Sequence, residues 1–416
     1  MKLFYNSLKT LPRNARMIIF IQPLWSIPFF LYNSYLSLYM LDLGLTPKMV
    51  GLINSVSFLA RTVLGFFAGN IVDKLGRKKS LVLFDALSWL IPILLWAIAT
   101  NFWHFMIAGI INTLVVVNGI ASSLFIVEDV DKERRLDSFN YLEVVMIVSG
   151  FFVPISGILF KKYAFVPTMR GVFVFAFICT CVFILLKQLY VKETSIGERI
   201  RSSLKKKKVS YYENFITAVK FTMNNKYLLL LLVVRIITSF NFVLYGLFYF
   251  PLLKNYFNYS ETSISVIPFI SSFVILIILV FFIPGIKDKP FYLLSGLFFS
   301  VLGGAAIVIA PKTFPFIFIL LNVLLWAVSK SLINPVMNQE VANAIDDELR
   351  ANVNGAQNII MALAMFPAGI LGGLLFEISP RLPFYGMLVL YILAFGIYFN
   401  YYKLSSRKGG IREQTS

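Results

Sequence analysis

Twelve apolar runs, each about long enough to cross a bilayer as a helix, divide this chain. They occupy residues 17–41, 49–72, 80–100, 103–127, 138–160, 169–191, 227–253, 262–284, 291–310, 314–337, 354–378 and 382–402. No soluble core could hide so much apolar surface. The chain is 58% hydrophobic and 14% charged, where a soluble domain carries roughly 25% charged residues. In hydrocarbon each backbone N–H and C=O must be satisfied within its own segment, so each isolated run must be a helix. The predicted fold class is an all-α polytopic membrane protein with twelve transmembrane helices, spans 1 to 12.

The formal net charge of +18 could suggest a nucleic-acid partner, but the cations lie in the connections between spans. Alternate connections hold 28 Lys and Arg on one side and 7 on the other. The positive-inside rule explains that bias and predicts that both termini are cytoplasmic, in a plasma (inner) membrane. The one long polar stretch, residues 192–226, contains Lys205–Lys208 and reads as a cytoplasmic linker. Within it, residues 211–223 are predicted to form an amphipathic helix on the membrane surface. The expected domains are therefore residues 1–191, the linker 192–226, and residues 227–416. No small-residue cleavage site follows the first run, which reads as an uncleaved span. Cys179 and Cys181 point to different faces of one helix, and His104 is the single histidine, so neither a disulfide nor a metal site is expected.

Between spans 2 and 3 the sequence reads GNIVDKLGRKK, residues 69–79. Its Gly69, Asp73, Gly76, Arg77 and Lys78 resemble the signature between the second and third helices of the major facilitator superfamily. An internal repeat adds to the likeness: DLGLTPKMVGLI at 42–53 returns as YFNYSETSISVI at 256–267. The resemblance implies two six-helix bundles related by pseudo-two-fold symmetry, and a secondary transporter working by alternating access. It also implies that the loop aspartate caps the N-terminus of span 11 and that the arginine pairs with an acid ending span 4. Here those would be Asp73, Arg77, and Glu128 or Asp129, with Asp85 as an alternative partner. Together they would form a conformational latch.

Three cations lie inside spans, away from both ends: Arg61, Arg235 and Lys330; Arg170 and Lys187, at the two ends of span 6, count with the outer and inner connections. Arg61 is roughly 18 Å from either end of span 2, too deep to snorkel, so it needs water, a counter-ion or a substrate. Arg235 and Lys330 could snorkel to the cytoplasmic surface instead. Polar stripes at helical spacing mark span 1 (Gln22, Ser26, Asn33), span 4 (Asn112, Gly119, Ser123), span 7 (Arg235, Ser239, Phe242) and span 10 (Asn322, Trp326, Lys330, Asn334). In the family these four spans line the pathway. The candidate substrate contacts are Gln22, Asn33, Arg61, Asn112, Arg235, Asn241, Tyr245, Trp326 and Lys330. Such residues could equally join helix to helix.

The embedded charges near the expected pathway are positive, and no acid sits at mid-depth of spans 1, 4, 7 or 10. That sign disfavours a cationic-drug exporter and favours a solute with an anionic group. A lipid or lysolipid flippase or exporter, or a multidrug efflux carrier, remains the alternative. A membrane-embedded enzyme would need clustered His, Asp or Cys at one depth, which the sequence does not offer. No P-loop is present, so the expected drive is a proton or sodium gradient with no cofactor, acting in a monomer surrounded by lipid.

Overall fold

The computed structural model describes residues 11–128, 130, 135–203, 211–282, 289–345 and 347–413. Among the described residues there is no strand. Twelve helices are long and apolar enough to cross a membrane. They are Arg13–Asn33, Pro47–Leu75, Arg77–Ala97, Phe102–Ile126, Ser138–Lys162, Phe165–Tyr190, Lys226–Asn255, Glu261–Phe282, Pro290–Ile309, Phe316–Val341, Gly355–Ile378 and Leu382–Lys403. Many large apolar side chains point outward, among them Phe281 at 75% exposure and Phe314 at 81%. In water that would be costly; against lipid tails it is the ordinary state.

Prolines and caps set the breaks. Span 1 interrupts its helix at Gln22, just before Pro23, and again at residues 34–35 before Leu36–Asp42. A proline removes a donor and crowds the preceding turn, which divides the long apolar run. Asn101 caps span 4 and Asn225 caps span 7, each side chain accepting from two backbone N–H groups of the first turn. Span 3 widens into a π-helical turn at Ala86–Leu90, ahead of Pro92. Pro92 has no N–H to return to the carbonyl four residues back, on Ser88. Asn112 fills the vacancy: its amide donates to the Ser88 carbonyl at 2.8 Å.

By contacts the chain divides into two compact units. The first comprises residues 1–209 with 261–269, and the second residues 210–260 with 270–416. The linker is thus shared, its helix Ser195–Ser203 going with the first unit and Tyr211–Asn224 with the second. The opening residues of span 8 group with span 5, where the Thr262 hydroxyl donates to the Gly157 carbonyl at 2.9 Å. The expectation of a surface-lying linker helix needs correction. Ala218 and Thr222 of Tyr211–Asn224 are buried, and Ala218 packs with Leu228, Val353 and Ala356 in one core. Its apolar face is covered by protein rather than by lipid alone.

The internal repeat reappears as matching hydrogen bonds. In the first unit Arg170 donates to the carbonyl of Ala99, just beyond span 3, at 3.1 Å. In the second unit Arg381 donates to the carbonyls of Val308 and Ala310 at the end of span 9. Likewise Asn112 of span 4 ties to span 3, and Asn322 of span 10 ties to Gly303 of span 9, both at 2.8 Å. By position in the sequence Arg170 and Arg381 read as outer-side charges. They instead satisfy carbonyls left open at helix ends.

Close helix approach explains some glycines. A Cβ on Gly296 would lie 2.8 Å from Ile333 Cγ1 and 3.4 Å from the Ile333 nitrogen. Gly296→Val should therefore lower stability by about 1–3 kcal/mol, through overpacking of spans 9 and 10. Thermal unfolding in detergent measures it. Gly171→Ala is the control, because a Cβ there meets nothing within 4 Å. Equal unfolding temperatures for the two variants would refute this account of the glycine.

Candidate functional site

The signature between spans 2 and 3 is tighter than a loop. Helix runs through Leu75 and resumes at Arg77, leaving only Gly76 between, at φ 89°. That left-handed conformation favours glycine. The new helix N-terminus is closed by Glu193, beyond span 6, whose carboxylate accepts from the N–H groups of Arg77 (3.0 Å) and Lys78 (3.1 Å). A carboxylate at that position also suits the helix dipole.

Arg77 is the hub. Its guanidinium, 2% exposed, donates to Asp73 at 2.9 Å and to Glu128 at 3.0 Å from Nη2 and 3.1 Å from Nε. Glu128 also accepts from the Thr194 hydroxyl, and that hydroxyl accepts from the Gly197 N–H at 3.0 Å. The fork of Arg77 thus joins span 2, the end of span 4 and the segment after span 6. Lys78 enters through its backbone N–H. A Cβ on Gly69 would meet nothing within 4 Å, so crowding inside this unit does not account for that glycine. Asp129 lies outside the described residues.

Asp85 requires a correction. It does not partner Arg77. Its carboxylate is buried deeper in the unit, where Lys187 of span 6 reaches it at 2.6 Å and the Asn118 amide donates at 2.5 Å. The Lys187 ammonium also stands 4.1 Å from the Phe183 ring centroid. Lys187 had counted as one of the cytoplasmic charges, yet its side chain is 3% exposed. A carboxylate taken out of water needs a cation beside it, and Lys187 supplies one.

In the second unit a cavity of about 150 Å³ opens among spans 7, 9, 10 and 12. Two of its lining rings, Phe242 and Trp326, begin a ladder of parallel rings that runs on behind the wall. Trp326 stacks on Tyr245 at 4.6 Å and 10°, Tyr245 on Tyr249 at 4.2 Å and 17°, and Phe242 lies 6.1 Å from Trp326 at 12°. Lys330 holds its ammonium 5.1 Å from the Phe242 centroid and 5.2 Å from that of Trp326. Ring faces stabilise a cation by their quadrupole. Ser239, Thr238 and Asn334 add neutral polar groups to the lining, and among the described residues no carboxylate lines it. Behind the ladder, Tyr245 donates to Asn322 at 3.4 Å beside a void of about 10 Å³, the size of a single water.

The other candidate contacts divide. Trp326, Tyr245 and Lys330 are drawn together as described. Asn241 is fully buried and donates to the Met387 carbonyl of span 12 at 3.1 Å, so it ties two helices and does not line the cavity. Asn112 is likewise engaged with span 3. Gln22 is half-buried and approaches Met146 at 3.8 Å, and Asn33 is exposed. Arg235 is half-buried, outside the cavity lining, and in no ion pair among the described residues. Arg61 is half-buried, with its Nε enclosed and without a hydrogen-bond partner; the Phe58 ring is 5.8 Å away. No carboxylate pairs with Arg61 among the described residues. Glu193, Thr194, Lys187, Ser300 and Tyr391 were not foreseen. An acid stranded at the mouth of a basic linker was the one available sign, at Glu193.

The model of the Major Facilitator Superfamily matches residues 19–369. A stretch of 124 residues is 29% identical to the uncharacterized MFS-type transporter YqjV of Bacillus subtilis (strain 168). That match spans 28% of this chain and 28% of that protein. Solved structures share the fold. The human organic anion transporter MFSD10 (TETRAN) aligns with a TM-score of 0.64 at 16% identity, over 92% of this chain and 99% of that one. The nucleoside transporter NupG gives 0.69 at 14%, over 94% and 99%, and the peptide transporter POT in complex with alafosfalin gives 0.68 at 14%, over 95% of each. With the matched model covering most of its length and twelve spans in place, this chain belongs to the major facilitator superfamily, as a multi-pass membrane transporter.

Proposed function

We propose that this transporter moves a small organic solute bearing an anionic group, by alternating access. The observation that carries the reading is Lys330, a cation standing on two ring faces in a cavity that no carboxylate lines among the described residues. In a low-dielectric site such a charge attracts an anion far more strongly than it would in water. Arg61 supports the same sign, being an embedded guanidinium with no carboxylate partner among the described residues. The solved structures that share the fold are an organic anion, a nucleoside and a peptide transporter, so fold likeness alone selects none of these. The charge of the cavity favours the first. A proton or sodium gradient would drive the cycle, with both termini in the cytoplasm and the monomer as the working unit.

The test is counterflow of labelled anions in proteoliposomes, with neutral solutes of equal size as controls. Lys330→Ala should weaken handling of the anion by roughly ten- to hundred-fold, the worth of a charge-assisted contact. Arg61→Ala should reduce it in the same direction. The reading fails if both variants fold and carry every anion the parent carries at the parent's rate.

A further inference from the structure

The ladder has a shape as well as a charge. Its rings lie within 10–17° of parallel, from Phe242 through Trp326 and Tyr245 to Tyr249. Tyr249 is buried, and its end of the ladder is closed by protein. Phe242, at the other end, is 49% exposed and lines the cavity together with Lys330. A fixed row of parallel faces with one open end accepts a further flat ring at little entropic loss, because the rings already hold their orientation. The void of about 150 Å³ matches one six-membered ring.

We infer that the solute is a single-ring aromatic or heteroaromatic anion. Its ring lies against the Phe242–Trp326 wall and its anionic group meets the Lys330 ammonium, with Ser239 and Asn334 as neutral donors beside it. This rests on the anionic reading above and narrows it. A saturated ring of the same size and charge would keep the contact with Lys330 and lose the stacking.

The experiment is a binding titration of the purified full chain in detergent with two probes, benzoate and cyclohexanecarboxylate. Both carry one carboxylate on a six-membered ring, and only one is flat and conjugated. Benzoate should bind about three- to ten-fold more tightly, the worth of one stacked pair. In Phe242→Leu, which keeps the apolar bulk, that preference should fall to about one. Lys330→Met should weaken both probes alike. Equal affinities in the parent would overturn the aromatic inference and leave the anionic reading standing. Binding of neither probe at millimolar concentration would overturn both. The parent ratio needs no variant, so a misfolded Phe242→Leu protein does not obscure the result.

Discussion

Lys187→Met should lower the stability of the purified protein by about 3–5 kcal/mol, a large fraction of the roughly 5–15 kcal/mol that holds a typical domain folded. The methionine fills the volume of the lysine stem, so the loss comes from Asp85. Its carboxylate is 1% exposed and would retain the Asn118 amide as its hydrogen-bond partner. A buried anion stripped of its cation bears most of its desolvation penalty. The double variant Asp85→Leu with Lys187→Met removes both charges. It should recover most of the loss, because well-packed apolar pairs often equal or surpass the ion pair they replace. Thermal unfolding at fixed detergent and scan rate measures all three proteins. A double variant no more stable than the single would show that the pair is not what the lysine supports.

The fold was legible because hydrocarbon leaves a chain so few options. Run length, charge asymmetry and one turn signature gave twelve helices, and the family match and spans agree. The signature was also legible as chemistry, since an Arg one turn beyond an Asp can reach it, and Arg77 does. What the sequence could not disclose was which polar side chains serve the backbone. Asn112 sits on a polar stripe as good as that of Lys330, and Asn241 is a polar side chain in the same span as the Arg235 stripe. Yet Asn112 answers a carbonyl freed by Pro92, and Asn241 answers one on span 12. Polar stripe periodicity reports that a face is polar, not what it meets. Lys187 shows a related blind spot. At the inner end of a span a lysine reads as topology, and only its burial beside Asp85 makes it structural. Phe242, Tyr245 and Trp326 of the ring ladder stood out one residue at a time, but the parallel stacking depends on how spans 7 and 10 pack, which no single helix encodes.

Arg77→Ala should cost about 3–5 kcal/mol by the same logic, with a graded series around it that the lysine pair cannot offer. Glu128, 7% exposed, would lose its only cation among the described residues and keep the Thr194 hydroxyl. Arg77→Lys preserves the charge and gives up the planar fork that engages Asp73 and Glu128 together, so its loss should fall between parent and alanine. Asp73→Asn should change stability by less than about 1 kcal/mol, because that carboxylate is 31% exposed and water screens the pair. The expected order of unfolding temperatures is parent, Asp73→Asn, Arg77→Lys, Arg77→Ala. A latch role for the cluster adds a second expectation on a separate readout. Asp73→Asn should then slow counterflow in proteoliposomes while its unfolding temperature stays close to the parent's. Transport at the parent's rate would leave Asp73 a structural charge and end the latch, whereas an Arg77→Ala protein as stable as the parent would remove the hub itself.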